Sequence, residues 1–115
     1  MTIFNIWDVI AVPFPGAGPA ARHRRPALVV AANMIQDDHG LLWILMITSA
    51  KNRGWRGDVA ISNLSAAGLP APSVVRTAKI ATIPAEGIER IGTLVLGDRL
   101  WVARHMFSEL GRTIA

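Results

Sequence analysis

Two strongly apolar runs on either side of a polar stretch constrain the fold of this chain more than any other feature. The runs are residues 26–32 and 41–47, and the stretch between them is residues 33–40. Val, Ile and Leu occupy both alternating sets of positions, which is typical of strands that are buried on both faces inside a barrel or at an interface. The sequence therefore predicts a hairpin of two central strands, with residues 33–40 as its turn.

The register of that hairpin places two polar side chains together at its open end. Antiparallel pairing about the midpoint of the turn brings Arg25 opposite Thr48, with the basic residues His23 and Arg24 beside them. A guanidinium group and a hydroxyl group on one face suit a phosphate. Taken singly, each residue has an ordinary interpretation, because threonine is a good strand former and an arginine before a proline at a strand edge is usually solvated. Only the pair indicates a phosphate site.

Arginine dominates the positive charge and points to the class of partner. The net charge is +4, and ten of the twelve basic residues are arginine, which binds phosphate bidentately and stacks on bases. Nucleic acid is the first partner that this predicts, and an acidic protein the second. A second basic segment, residues 51–57, follows Thr48 and has Trp55 near its centre. Such a loop can hold a single strand by stacking; the alternative is a solvated loop whose tryptophan packs down.

The remaining pattern predicts a small, mostly β barrel with one C-terminal helix in a single domain, residues 1–115. An irregular loop is expected at residues 15–24, and glycine with two prolines excludes regular structure at 67–72. Residue Asp98 suits the first turn of the helix, Gly111 suits its C′ position, and an apolar stripe at helical spacing is expected to pack in the core. His105 beside that stripe is expected at the surface. The stripe consists of Leu100, Ala103, Met106, Phe107 and Leu110. The strands of the barrel are expected at residues 8–14, 26–32, 41–47, 58–61, 73–76, 79–83 and 91–94.

Several classes of function lack support in the sequence. The chain has no cysteine, which rules out disulfides and thiolate metal sites and suits the cytoplasm. Residues 37–39 resemble a fragment of a metal site but have no partner ligands at suitable spacing, and the Gly-x-Gly at 16–18 lacks a third glycine. Neither a cofactor nor a metal is therefore expected. The N-terminus lacks a signal peptide and no apolar run could span a membrane, so we expect a soluble protein without a membrane partner.

Several short segments along the chain match the pattern of one known family in order and spacing: residues 8–15, 24–30, 47–49, 57–59, 68–70, 73–76 and 79–83. Taken together, they resemble the PemK/MazF-like toxins of type II toxin–antitoxin systems, and the resemblance runs from Trp7 to about Leu110. It implies an SH3-like barrel, a homodimer, sequence-selective cleavage of single-stranded RNA (mRNA) without a metal, and inhibition by a cognate antitoxin protein. The high hydrophobic content of 51% agrees with a second subunit that covers apolar surface.

The resemblance assigns roles to individual residues. The family's catalytic arginine and threonine fall on Arg25 and Thr48. Two positions depart from the family pattern: Trp7 replaces a usual glycine, and Ala78 stands where one branch has an aspartate two residues after its arginine. The predicted substrate-binding residues are His23, Arg24, Ser49, Lys51, Arg53, Trp55, Arg56 and Arg76.

The implied reaction uses the ribose 2′-OH as the nucleophile. We hypothesise that Arg25 neutralises charge on the phosphorane and helps to protonate the leaving oxygen, while Thr48 holds a non-bridging oxygen. The general base is unassigned, and His23 is the only nearby residue with a suitable intrinsic pKa. Two alternatives stay open: a non-cleaving toxin on the same barrel that acts like a gyrase inhibitor, and a degenerate relative that binds RNA or an antitoxin.

Overall fold

Six antiparallel strands form one sheet in the computed structural model, which describes residues 2–13 and 24–114. The order across the sheet is β4-β5-β3-β2-β1-β6, and a long C-terminal helix follows the last strand. The predicted fold class, mostly β with a C-terminal helix, is confirmed. The strands are β1 (Asp8–Pro13), β2 (Arg24–Ala31), β3 (Leu41–Ser49), β4 (Asp58–Ala60), β5 (Ser73–Pro84) and β6 (Glu89–Thr93). The α-helices are α1 (Asn33–His39), α2 (Leu64–Ala67) and α3 (Leu96–Ile114), and a 3-10 turn spans Ala50–Asn52.

The two apolar runs form β2 and β3, which lie at the centre of the sheet as predicted. Ala27 pairs with Met46, and Leu28 pairs with Leu45, which is the register that the hairpin count gives. The alternation of side chains divides the core into two clusters on opposite faces of these strands. Leu28 and Leu45 belong to one cluster, together with residues of β1, β4, β5 and α3. Ala27 belongs to the other, which includes residues of the N-terminal segment. Both faces are covered, which explains the uninterrupted apolar runs.

The predicted turn between these strands is wrong, because residues 33–39 form helix α1. Gly40 ends the helix in the left-handed conformation, with a φ of 67°. The buried side chain of Gln36 explains why the segment is helical. Its Oε1 accepts a hydrogen bond of 3.0 Å from the backbone N–H of Phe4, and its Nε2 donates one of 2.6 Å to the carbonyl of Thr2. The helix thus satisfies buried polar groups of the N-terminal segment.

Other element boundaries also differ from the sequence prediction. Arg24 belongs to β2 rather than to the preceding loop, and the two predicted strands of residues 73–83 are one long strand with an irregularity beside its centre. Helix α2 was not predicted. It packs its backbone directly against β6, where a β-carbon at Gly68 would overlap the carbonyl of Ile91 and one at Gly92 would overlap the backbone of Ala67. Glycine is therefore required on both sides of this contact.

The prediction that the apolar stripe of α3 packs in the core is only partly confirmed, because Met106 packs against the first core cluster but the larger part of the stripe is exposed. Leu100 is 65% exposed and Phe107 is 74% exposed, whereas Val102 is completely buried. The helix therefore rests on the barrel through Val102 and Met106, and the side of the stripe that carries Leu100 and Phe107 points away from it. The helix also continues through Gly111, which is not its C′ residue. None of the helices within the described residues has the length and apolar character needed to cross a membrane.

The substitution of Trp7 for a glycine has a backbone consequence. Trp7 has a φ of 76°, in the left-handed region that favours glycine. Its half-buried side chain packs against the first core cluster. Its carbonyl accepts a hydrogen bond of 2.9 Å from the N–H of Leu94. The resemblance leads us to expect a glycine here, and the positive φ that the turn before β1 requires agrees with that expectation.

Candidate nucleic-acid interface

Arg25 and Thr48 lie toward the same end of the hairpin formed by β2 and β3. The hydrogen-bonded pairs between these strands end at Ala27 and Met46, and Arg25 and Thr48 each lie two residues further on. Arg25 is exposed and pairs with Val12 of β1 on its other side, while Thr48 is half-buried. The two predicted catalytic residues therefore occupy adjacent central strands at one end of the sheet.

The segment after β3 is tied to Thr48 by short polar contacts. Ser49 caps the 3-10 turn, and its Oγ accepts a hydrogen bond of 3.2 Å from the N–H of Lys51. The side-chain Nδ2 of Asn52 donates a hydrogen bond of 3.2 Å to Oγ1 of Thr48. The basic loop therefore begins as an ordered turn and folds back on the predicted catalytic hydroxyl.

Arg76 on β5 connects this loop to β4 through a set of contacts that we call the Arg76 clasp. Its Nε and Nη2 donate hydrogen bonds of 3.1 and 3.0 Å to the two carboxylate oxygens of Asp58 on the neighbouring strand. Nη2 also donates a hydrogen bond of 2.6 Å to the carbonyl of Asn52. The clasp consists of Arg76, the Asp58 carboxylate, the Asn52 carbonyl and the ring of Trp55. Arg76 is only 7% exposed, so its guanidinium faces its protein partners rather than solvent. Its contact with the Asn52 carbonyl therefore stabilises the loop.

The clasp has a clear electrostatic signature. The hydrogen bonds from Arg76 hold the pKa of Asp58 below its ordinary value, and Asp58 in turn raises the pKa of Arg76. Burial opposes both effects, but the direct contacts are the larger influence. Asp58 is therefore a poor proton acceptor at neutral pH.

Trp55 combines the two alternatives that the sequence left open. One side of the indole is covered by Arg76, whose guanidinium carbon lies 4.2 Å from the ring centroid, and Lys79 Nζ lies 5.6 Å from it. The side chain is nevertheless 48% exposed. The backbone N–H of Trp55 donates a hydrogen bond of 3.2 Å to the carboxylate of Asp58, so the residue is anchored while part of its ring stays accessible.

A groove of about 860 Å³ separates this loop from α3. Its walls include Arg56 on one side and Trp101 and His105 on the other, and Ala78 lies in its lining. Gly57 shapes this edge with a φ of 89°. A β-carbon there would overlap the hydroxyl of Thr77, which donates a hydrogen bond of 2.8 Å to the Gly57 carbonyl. His105 is half-buried rather than fully at the surface.

The remaining predicted binding residues are spread around the same end of the barrel. Arg24 is exposed and donates a hydrogen bond of 3.2 Å to the carbonyl of Gly87. Lys51, Arg53 and Arg56 are all exposed on the basic loop. His23 lies outside the described residues. Arg24, Lys51, Arg53 and Arg56 thus present cations to solvent, which is what binding of a phosphate backbone requires, whereas the guanidinium of Arg76 is engaged in the clasp.

Sequence reasoning missed two residues that organise this site, Asn52 and Asp58. Asn52 was counted only as part of a basic loop, and Asp58 only as part of a motif. Their roles depend on the pairing of β4 with β5, which places Asp58 opposite Arg76. The nearest signal in the sequence was a lone acid in a strongly basic region, which often marks an arginine partner.

The fold and the site define a small, mostly β protein with a cation-rich polar site at one end of its sheet and an apolar C-terminal helix. The sequence model of the PemK-like, MazF-like toxins of type II toxin–antitoxin systems matches residues 5–105. The chain therefore belongs to this toxin family, as the motifs predicted. No curated protein sequence matched the chain.

Similar solved structures support the same fold. MazE–MazF (Form-II) from Deinococcus radiodurans has a TM-score of 0.74 at 19% identity, over 96% of this chain and 98% of that one. The toxin MazF-mt6 of Mycobacterium tuberculosis has a TM-score of 0.69 at 20% identity, over 90% and 96%. An endoribonuclease in complex with its cognate antitoxin, from a mycobacterial species, has a TM-score of 0.72 at 15% identity, over 96% of both chains. The barrel-like fold of these toxins is thus shared by this chain.

Proposed function

We propose that this toxin is an endoribonuclease that cleaves single-stranded RNA, such as mRNA, with sequence selectivity and without a metal. The observation that carries the proposal is the placement of Arg25 and Thr48 on adjacent strands, beside a loop whose exposed cations are held in place by the Arg76 clasp. Membership of the toxin family supports it, as does the likeness to a mycobacterial endoribonuclease. The site of action would be the cytoplasm, where mRNA is translated.

The proposed reaction needs no nucleophile from the protein. The 2′-oxygen of the ribose attacks the adjacent phosphorus, and its proton passes to a base. The bond from phosphorus to the 5′-oxygen breaks, and that oxygen takes up a proton from a water that Arg25 would help to position. The products are a 2′,3′-cyclic phosphate and a 5′-hydroxyl end. Arg25 would balance the charge on the pentacoordinate phosphorus, and the hydroxyl of Thr48 would hold a non-bridging oxygen. Asp58 is not assigned as the base, because both of its carboxylate oxygens already accept hydrogen bonds from Arg76.

The basic loop would supply most of the affinity for RNA. Lys51, Arg53 and Arg56 can neutralise successive phosphates, and the accessible part of Trp55 offers a surface for stacking one base. Stacking of this kind is worth about 1 to 3 kcal/mol per base. We also infer that a cognate antitoxin protein inhibits the toxin by covering this interface, because similar toxins have been solved in complex with antitoxins.

Cleavage of a mixed-sequence single-stranded RNA in the presence of EDTA tests the proposal directly. We expect discrete fragments that end in a cyclic phosphate, since the 2′-hydroxyl is the proposed nucleophile. The same RNA with 2′-deoxy nucleotides should not be cut. Activity that requires an added divalent ion would contradict the metal-free reaction. Absence of cleavage together with gyrase arrest would instead support a gyrase inhibitor, and RNA or antitoxin binding alone would support a degenerate relative.

The exposed stripe of α3 supports a homodimer. Its large apolar side chains are more than half exposed and recur at spacings of four, seven and three residues, so they form one face of the helix. An apolar face of this kind on a small protein usually marks an interface. We infer that a second copy of the chain covers it. The exposed large side chains are Leu96, Leu100, Phe107 and Leu110, with Trp101 beside them.

A charge placed in this stripe is expected to disrupt the dimer. The change Phe107→Glu should weaken self-association by roughly ten- to a hundredfold, because it removes the burial of a large aromatic side chain and adds a carboxylate. Sedimentation equilibrium over a range of concentrations measures the effect. The matched control is Met34→Glu, since Met34 is also an exposed apolar residue, 75% exposed, but lies on α1. Equal effects of the two changes would contradict the assignment of the interface to α3.

A further inference from the structure

The hydroxyl group of Thr48 already accepts a hydrogen bond within the protein. Its donor is the side-chain amide of Asn52, with Nδ2 3.2 Å from Oγ1. A hydroxyl group has one proton and two lone pairs. An amide nitrogen can only donate, so this contact occupies a lone pair of Oγ1 and leaves the Thr48 proton available for another acceptor. Asn52 is exposed and Thr48 is half-buried, so this contact lies at the edge of the proposed RNA interface.

We propose that Asn52 is a positioning residue, which sets the Thr48 hydroxyl as a donor toward a non-bridging oxygen of the scissile phosphate. The inference rests on the proposed nuclease function and adds a residue to it. Without the amide, the hydroxyl proton can rotate among several acceptors, including solvent. With the amide in place, the orientation that donates toward the phosphate is favoured before the substrate arrives, which is the form of preorganisation that stabilises a transition state.

The backbone around Asn52 is held well enough for this role. Its carbonyl accepts the 2.6 Å hydrogen bond from Nη2 of Arg76, which is itself fixed by the carboxylate of Asp58. On the other side, Ser49 caps the turn that contains Asn52. The 3-10 turn is also attached to the start of β5, because the N–H of Ala50 donates a hydrogen bond of 2.9 Å to the carbonyl of Pro72. The main chain therefore aims the amide at Thr48.

This arrangement separates the two roles of Asn52. The carbonyl that receives Arg76 belongs to the main chain and stays in place when the side chain is changed. The contact with Thr48 belongs to the side chain alone. Truncation of the side chain should therefore remove the orientation of the hydroxyl while the Arg76 clasp and the fold are kept.

Single-turnover cleavage by side-chain variants tests the proposal. Asn52→Ala should slow the chemical step by about three- to tenfold, the value of one neutral hydrogen bond, while affinity for an uncleavable 2′-deoxy RNA stays within about twofold. Asn52→Asp has the same shape but only accepts hydrogen bonds, so it should take the Thr48 proton and slow cleavage further. Asn5→Ala is the matched control, because Asn5 is an exposed asparagine on the N-terminal segment.

A double-mutant cycle with Thr48→Val distinguishes positioning from a direct role. If Asn52 acts through the hydroxyl, Asn52→Ala should have no further effect on the residual rate of Thr48→Val. Two results would overturn the positioning role of Asn52: losses of rate that add up in the double mutant, or an unchanged rate in both Asn52→Ala and Asn52→Asp. Either result would leave the nuclease function standing, since the wild-type protein would still cleave RNA. An inactive wild-type protein would overturn the nuclease function as well. Thermal melts of each variant check that the fold is kept. If the alanine variant unfolds, the cleavage rate of the isosteric Asn52→Asp variant tests the inference instead.

Discussion

Replacement of Arg25 by alanine is expected to lower the single-turnover rate of RNA cleavage by roughly 10²- to 10³-fold. The reason is electrostatic, because negative charge on the phosphate oxygens increases as the 2′-oxygen attacks, and a fixed guanidinium stabilises that charge more than it stabilises the bound substrate. Arg25 occupies a central strand, between β1 and the end of β3, so it is part of a rigid framework. Affinity for an uncleavable 2′-deoxy RNA should change much less than the rate.

Two further variants make this prediction specific. Arg25→Lys keeps the charge but loses the planar fork, so we expect an intermediate rate. Arg24→Ala changes the neighbouring arginine, whose guanidinium bonds the carbonyl of Gly87, and should weaken RNA binding more than it slows the chemical step. Cleavage by Arg25→Ala at the wild-type rate would remove Arg25 from the catalytic site. A loss confined to RNA affinity would reassign Arg25 to binding.

The change Asp58→Ala is expected to have the largest effect on stability among the changes proposed here. It removes the carboxylate that receives two hydrogen bonds from Arg76 and leaves a guanidinium with little exposure and no anion beside it. A lowering of the melting temperature by roughly 5 to 15 °C is expected for such a loss. Because Arg76 also holds Asn52 and covers Trp55, the basic loop should lose order and RNA affinity should fall.

The pH dependence of stability provides a second readout of the same contact. The pKa of Asp58 is lowered in the folded protein, so the unfolded chain binds its proton first as the pH falls. The stabilisation by Asp58 is therefore complete above its ordinary pKa of 3.8 and is lost as the pH falls through the lower folded value. Melting temperatures of wild type and Asp58→Asn should consequently converge below about pH 3.8.

An exposed aspartate is the appropriate control for Asp58. Asp37 lies on α1 and is exposed, so Asp37→Ala should leave the melting temperature nearly unchanged. Asp58→Asn keeps the shape of the side chain and isolates the effect of charge. If Asp58→Ala melts at the wild-type temperature, or if its difference from wild type does not shrink in acid, the Arg76 clasp is not a stabilising contact in solution.

The hairpin shows how far local pattern carries a prediction. Its register was predictable because both faces of β2 and β3 are apolar and the two runs have similar length, so one alignment buries most of the side chains. The same alignment placed Arg25 and Thr48 at one end. Helix α1 was not predictable in the same way, because it forms where Gln36 meets backbone groups of Phe4 and Thr2, more than thirty residues away.

Helix α3 shows what a local sequence pattern does not predict. Its periodicity predicted a helix correctly, but period alone cannot say which partner receives the apolar face. Leu100 and Phe107 are exposed in the single chain, whereas Val102 enters the core. The sequence was right that an apolar face exists, and the tertiary structure decided that the barrel covers only the part of it around Met106.

The sequence by itself determined the mostly β fold, the family, the central hairpin and the positions of the proposed catalytic pair, because these depend on alternation and on motifs that are local in the chain. Only the tertiary structure showed the contacts of Arg76, which the family resemblance named as a substrate-binding residue. Strand pairing brings Asp58 and Arg76 together across eighteen residues. A guanidinium that is paired with a buried carboxylate holds the structure around it. Whether an arginine has such a partner depends on its neighbours in space rather than in sequence.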